Sequence, residues 1–309
     1  MLKGLKDGLF FIKSKINIFK FQIHFKFRSQ KLKDVCDEIN TIIETKPDYI
    51  IKLQGRLGNQ MFQYAFSKSL KGNVLFDCSQ LETQKFANYE LDKFNLNIKT
   101  IKTKILSEFE KKYRLKETFG SLIGMELKPP IYLDGYFQNE KYFREYKEEL
   151  IKEFTTNAKM TDEYLKMAEK IEGSNSVLLN FRVAKDYKKI GWSVNYDYQR
   201  KAIEYIKERV QNPEFFVFAD DINEVKRSFK TDEKLTFADL GKNNPDKVYL
   251  DLELMKKCKH DILTNSSFSF WAGWLNVNPN KIVIAPDPWI QENDGVAPSD
   301  WVKIRAEKN

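Results

Sequence analysis

The sequence predicts an α/β protein built from two successive Rossmann-like halves. Two stretches alternate apolar strands with amphipathic helices, and a short polar break separates them. The first stretch opens with the apolar run Tyr49 to Leu53. A turn from Gly55 to Gly58 follows, and then a helical pattern over Asn59 to Lys71. The second opens at Val177 and runs to the apolar segment Lys281 to Ala285. Strands that alternate with helices and read as continuous apolar runs belong to parallel sheets covered on both faces.

In the first half, Met61, Phe62, Ala65, Phe66, Ser69 and Leu70 share one helical face, and Val74 to Phe76 reads as the next strand. The charged region Thr100 to Lys128 is expected to be helical. Pro129 and Pro130 end it, and Ile131 to Asp134 reads as a strand. Lys141 to Phe154 and Thr161 to Ile171 read as helices. Gly173-Ser174-Asn175-Ser176 is the expected domain boundary.

In the second half, Val177 to Phe181, Phe215 to Ala219, Asp261 to Leu263 and Lys281 to Ala285 read as strands. Asp197 to Val210, Ile222 to Phe229, Asp246 to Cys258 and Phe268 to Leu275 read as helices. The division expected is therefore 1–47 as a basic amphipathic segment, 48–173 as one Rossmann-like domain and 174–309 as another. Ligands of such domains sit at the carboxyl ends of the strands.

Composition narrows the function classes. The 309 residues are 42% hydrophobic and 31% charged, which suits a globular chain with a sizeable core. A formal net charge of +8 favours anionic partners. Cys36, Cys78 and Cys258 are far apart, and His24 and His260 are the whole histidine complement. A zinc site of Cys and His is not expected, nor is a nucleophilic triad. Sparse thiols point to a reducing compartment, and so to a cytoplasmic protein. No apolar run of membrane-spanning length and no signal peptide are read. Basic stretches with interleaved aromatics are missing from the body of the chain, so nucleic acid is not an expected partner.

The first thirty-five residues alternate lysines with apolar side chains such as Leu9, Phe10, Phe19, Phe21, Phe25 and Phe27. Such a segment suits either a helical appendage packed on the body or a peripheral contact with the inner face of the cytoplasmic membrane.

Three places carry chemistry. In Gly55-Arg56-Leu57-Gly58-Asn59-Gln60, two glycines between strand and helix let the backbone approach a ligand, and Arg56 adds a charge. An ordinary βα turn would read the same way. Asn180-Phe181-Arg182 ends a strand, where a guanidinium can hold a diphosphate bidentately or form a plain ion pair. Asn265-Ser266-Ser267-Phe268 starts a helix, where hydroxyls and N–H groups offer either an anion site or a simple N-cap. Phe268 is placed to lie against a flat base. Asp220 and Asp221 follow a strand, and either could accept the two adjacent donors of guanine or cap the next helix. No Asp-x-Asp triplet is present to hold a divalent cation. Phosphate charge then falls to Arg, Lys and helix ends, with no metal.

These sites, in this order, resemble the α-1,2-fucosyltransferases of glycosyltransferase family 11 over roughly Ile51 to Ile290. The resemblance rests on Gly55 to Ala65 and on Asp134-Gly135-Tyr136-Phe137-Gln138 with Tyr142-Phe143. It extends to Phe216 to Asp221, Cys258 to Trp271 and Asn280 to Pro286. It implies a GT-B type fold with two facing Rossmann-like domains, the first for acceptor and the second for donor. It further implies GDP-fucose as donor, inversion at the anomeric carbon, no cofactor, and a galactose-containing glycan acceptor, lipid-linked in O-antigen synthesis. Arg182 is the expected catalytic residue. Asn180, Asp220, Asp221, Ser266, Ser267 and Phe268 are expected on the donor. Gly55, Arg56, Gly58, Asn59 and Gln60 are expected on the acceptor or phosphate loop. One departure stands out. The family's His-x-Arg-Arg-x-Asp-Tyr reads Asn180-Phe181-Arg182-Val183-Ala184-Lys185-Asp186-Tyr187 here, so the histidine and the second arginine are replaced. That leaves room for another nucleotide-sugar donor, or for an inactive relative that only binds glycan or nucleotide. For the general base, Asp77, Glu82 and Asp134 are candidates.

Overall fold

The structure, a computed structural model, describes residues 30–81, 87–102, 104–184, 187, 189, 191–240, 247–291 and 294–307. The amphipathic stretch before residue 30, together with Glu82 and Asp186, lies outside the described residues. Helices α1 (Gln30–Thr45) and α2 (Leu57–Ser67) flank strand β1 (Tyr49–Lys52), and β2 (Val74–Asp77) follows. Next come β3 (Thr100–Ile101), α3 (Ser107–Tyr113), β4 (Arg114–Lys116), β5 (Ile131–Asp134), α4 (Lys147–Glu153) and α5 (Asp162–Glu172). The chain continues with β6 (Asn175–Phe181), α6 (Tyr196–Lys207), β7 (Pro213–Ala219), α7 (Ile222–Ser228) and β8 (Leu235–Phe237). It ends with α8 (Val248–Met255), β9 (His260–Ile262), α9 (Ser267–Leu275), β10 (Val283–Asp287) and β11 (Val302–Arg305).

These strands form two sheets in which every pairing is parallel. The five-stranded sheet has the order β3-β2-β1-β5-β4, and the six-stranded sheet has the order β11-β10-β9-β6-β7-β8. The α/β class read from the sequence is the class observed. By contacts the chain divides into two compact units. One holds the residues up to Arg56 with Gln63–Tyr89 and Asn97–Phe137. The other holds Leu57–Phe62, Glu90–Leu96 and Gln138–Asn309.

In the first unit β1 is buried at all four positions, as expected of a central parallel strand. Its core joins Ile50, Leu75, Ile101, Leu106 and Tyr132 to Ile42 of α1. Helix α1 is thus part of this unit, and its Glu38 accepts the N–H of Lys102 at 2.7 Å. In the second unit β6 is exposed only at Asn175. Val177, Leu179 and Phe181 pack with Tyr198, Ile203 and Ile206 of α6 and with Phe215 and Val217 of β7.

The region Thr100 to Lys128 departs from the helix expected of it. Among its described residues only Ser107–Tyr113 is α-helical, and Arg114–Lys116 forms an edge strand whose Arg114, Leu115 and Lys116 pair with Tyr132, Leu133 and Asp134. Charged side chains suit an edge strand, because they discourage pairing with another chain. The helix expected over Lys141 to Phe154 is regular only from Lys147, with two short 3-10 turns before it.

In the six-stranded sheet the strand order reverses once, between β6 and β9, from which the chain runs outward to β8 on one side and to β11 on the other. A reversal opens a crevice at the carboxyl ends of the two strands, where neighbouring connections leave in opposite directions.

Candidate active site

Arg182 follows the last residue of β6, and the Thr264 to Phe268 segment follows β9, so the two flank the crevice of the six-stranded sheet. The guanidinium is held from its edge and from its face. Nη1 donates to Asp220 Oδ2 at 2.6 Å, and both side chains are 17% exposed. The Tyr187 ring lies on the guanidinium face, with Cζ 4.8 Å from the ring centroid. The planar fork of N–H donors on a guanidinium suits a phosphate as well as a carboxylate.

Hydrogen bonds tie the segment after β6 to the segment after β9. Tyr187 donates its hydroxyl to the Asn265 carbonyl at 2.6 Å, and Asn265 Nδ2 donates to the Trp192 carbonyl at 2.8 Å. Trp192 packs edge-on against Tyr187. Asn180 is 7% exposed and donates to the Phe218 carbonyl at 3.1 Å, which joins β6 to β7 at the floor of the site. Val183, where the resemblance leads one to expect a second arginine, is 5% exposed and packs into the core. Its N–H donates to Asp220 Oδ1 at 2.7 Å.

Of the paired acids, Asp220 also accepts from the Ala184 N–H at 3.1 Å. Asp221 caps α7 by accepting from the Glu224 N–H at 2.9 Å. Ser266 is the N-cap of α9, and its hydroxyl accepts from the Phe268 N–H at 3.3 Å. Ser267 and Phe268 are half-buried, whereas Ser269 is fully buried and donates to the Thr264 carbonyl.

The first turn of α2 belongs to the same unit and meets α9 directly. A Cβ on Gly58 would lie 2.5 Å from the Phe268 nitrogen and 2.6 Å from the Ser267 carbonyl carbon. The Gly58 carbonyl accepts from Trp271 Nε1 at 3.0 Å. Two of the three sequence motifs are therefore brought into backbone contact, and glycine is required by that contact. The aromatics behind them form the packing layer. Trp271 is fully buried against Phe62, Phe143 and Phe154, with ring centroids at 4.9, 5.3 and 5.1 Å.

Glu90 escaped sequence reading. Its Oε2 accepts from the Leu57 N–H at 2.6 Å, so a carboxylate already sits at the start of α2. Gln60 is fully buried and its Oε1 accepts from the Glu90 N–H at 3.0 Å. Asn59 is half-buried and accepts from Gln138 Nε2 at 2.8 Å. Gly55 has a positive φ of 76°, the left-handed conformation that favours glycine, and Arg56 is exposed. No local signal links Glu90 to the helix it caps, since the two meet only through tertiary folding.

Among the candidate bases, Asp77 accepts from the Tyr132 hydroxyl and the Ser79 N–H, each at 2.8 Å. Asp134 accepts from Gln54 Nε2 at 3.1 Å, lies 3.6 Å from the Lys52 ammonium and pairs with Arg114. Both carboxylates are thus engaged within the first unit.

The C-terminal motif serves the far end of α9. Lys281 donates to the Gly273 and Asn276 carbonyls, both at 2.7 Å, and closes the helix C-terminus. Asn276 Nδ2 donates to the fully buried Asp261 at 2.8 Å. Burial pushes the Asp261 carboxyl up and the Lys281 ammonium down. Among the described residues no group of His, Cys, Asp and Glu side chains is arranged to hold a metal ion, and no helix is long and apolar enough to cross a membrane.

Residues 13–305 match glycosyl transferase family 11. The chain belongs to that family and is a glycosyltransferase. It is similar to an α-1,2-colitosyltransferase of Escherichia coli, with 31% identity over 294 residues that cover 82% of this chain and 98% of the relative. It is similar to the O-antigen biosynthesis glycosyltransferase WbnK of Escherichia coli, at 28% identity with 78% and 95% covered. At 23% identity, with 74% and 64% covered, it also resembles galactoside 2-α-L-fucosyltransferase SEC1 of Bos taurus.

Proposed function

We propose that the chain transfers L-fucose from GDP-fucose to a galactoside hydroxyl, with α-1,2 linkage and inversion, in the synthesis of an O-antigen or similar surface glycan. The observation that carries this reading is that Arg182 and the Ser266-Ser267-Phe268 helix start follow the neighbouring strands β6 and β9, on either side of the reversal point of the six-stranded sheet. Departure of GDP concentrates negative charge on the β-phosphate. Arg182, already fixed at its edge and face, meets that charge, and the N–H groups and hydroxyls at the start of α9 add hydrogen bonds. Donors placed in advance where charge develops are the main means of lowering such a barrier. Phe268 offers its ring to the guanine. The acceptor is assigned to the loop of Gly55, Arg56, Gly58, Asn59 and Gln60, in which Gln60 acts through Glu90.

A second reading keeps the site and changes the sugar. The relative at 31% identity is named a colitosyltransferase, and Val183 stands where the resemblance leads one to expect an arginine. A panel of GDP-fucose, GDP-colitose and UDP-sugars with a galactoside acceptor, assayed in EDTA, decides between them. The expected product is α-1,2-fucosylated, at a rate unchanged by chelator, because the chain carries no Asp-x-Asp triplet. Transfer from GDP-colitose alone selects the second reading. Activity that disappears in EDTA and returns with Mn²⁺ overturns the metal-free mechanism.

The lysine-rich amphipathic segment before α1 is assigned to the anionic inner face of the cytoplasmic membrane, beside a lipid-linked acceptor. Each basic residue near such a surface contributes about 1 kcal/mol. Because Ile42 of α1 lies in the core of the first unit, the segment is best removed before Gln30. The full chain is expected to sediment with phosphatidylglycerol vesicles at low salt and to be released at high salt. A chain starting at Gln30 should stay in solution. Equal sedimentation of both would exclude the segment as the membrane contact.

A further inference from the structure

We propose that Asp220 is a positioning residue for Arg182 and does not read the nucleotide base. The inference rests on the reading of Arg182 as the β-phosphate contact and adds the device that aims it. An ionised carboxylate offers about four lone-pair sites. Three at Asp220 are taken: Oδ1 by the Val183 N–H at 2.7 Å, and Oδ2 by Arg182 Nη1 at 2.6 Å and the Ala184 N–H at 3.1 Å. Guanine presents two adjacent donors and needs two acceptor sites side by side, which this carboxylate no longer has. Asp221 is committed to the cap of α7.

The geometry gives Asp220 a different task. It fixes one edge of the guanidinium, while the Tyr187 ring fixes its face. With edge and face both set, the plane of the guanidinium is set before any ligand arrives. The same carboxylate gathers two successive backbone N–H groups of the segment that leaves β6. The backbone carrying Arg182 and the side chain of Arg182 are therefore oriented by one group. Val183 fits this arrangement, because its side chain is in the core and its N–H is the donor that Asp220 requires.

The test is Asp220→Asn, read by calorimetry with GDP, GMP and IDP and by turnover. Loss of a charge-assisted contact predicts GDP affinity lower by about 10-fold, GMP affinity within about twofold of the parent, and an unchanged ratio of GDP to IDP affinity. Turnover should fall by about 10- to 100-fold, and Arg182→Ala with Asp220→Asn should be no slower than Arg182→Ala alone, as for residues acting as one unit. A purely structural role would lower the melting temperature without this non-additivity. A GDP to IDP ratio that collapses towards one overturns the proposal, as do multiplying losses in the double variant or unchanged turnover in a folded Asp220→Asn. If Asp220→Asn does not fold, Asp220→Glu keeps the charge, and the same ratio decides. If Arg182→Ala leaves turnover unchanged, the reading of Arg182 itself fails, and this inference falls with it.

Discussion

Replacing Arg182 with lysine is expected to lower turnover by about 10²- to 10³-fold, the scale for loss of one transition-state donor. Lysine keeps the charge and can still reach a carboxylate. It cannot present a planar fork that bonds Asp220 through one nitrogen, lies flat on Tyr187 and still turns donors to a phosphate. The folded state should hardly notice. Asp220 keeps the Val183 and Ala184 N–H groups, and β6 stays buried. A stability change within about 1 kcal/mol is therefore expected, as for substitutions that open no cavity and strand no buried charge. Turnover and melting temperature measured on the same preparation check both halves. Near-normal turnover in a well-folded variant means that the β-phosphate is met by another group.

How far the sequence discloses this site depends on the range of the interaction. Ser266 shows its role locally, because a small hydroxylated residue before an apolar helix is an N-cap signal that needs no partner elsewhere. Asp221 is legible in the same way. Asp220 is not: it lies beside a residue of equal charge, and only the parallel register that pairs Phe181 with Ala219 brings it to Arg182. Glu90 and Gln60 are hidden in the same way, thirty residues apart in the chain and joined only where the Glu90 backbone N–H donates to the Gln60 side-chain oxygen.

The fold follows the same rule. Central strands such as β1 and β6, buried at all or all but one of their positions, carry continuous apolar runs and are read from the sequence with small shifts at their ends. The edge strands β3, β4, β8 and β11 are two to four residues long and partly exposed, so they lack that run. Arg114 and Lys116 pass for helix formers, and it is pairing with β5 that makes their segment a strand. Propensity is a weak guide at a sheet edge, where the neighbour decides the conformation.

Gly58→Ala is expected to damage both stability and turnover. The added Cβ would meet the Phe268 nitrogen at 2.5 Å, the Ser267 carbonyl carbon at 2.6 Å and the Phe268 Cα at 2.8 Å. All three are backbone atoms at the start of α9, so no side chain can rotate away. Alanine is otherwise the better helix former, by about 1 kcal/mol, and in an open helix it would stabilise. Here α2 and α9 must separate instead. Separation also stretches the 3.0 Å bond from Trp271 to the Gly58 carbonyl, at a tryptophan that is fully buried. Overpacking costs about 1–3 kcal/mol, and an unmet buried donor costs about 1–3 more. At roughly 2–4 °C per kcal/mol, the melting temperature should fall by about 4–24 °C. Turnover should fall as well, even at temperatures where the variant is folded, because the displaced backbone carries Ser267 and Phe268. Trp271→Phe separates the two causes, since it removes the Nε1 donor while leaving glycine in place. It should reproduce part of the stability loss and little of the loss in turnover. A Gly58→Ala variant that melts with the parent and turns over normally would show that the two helix starts can part at no cost, and that the site does not depend on their contact.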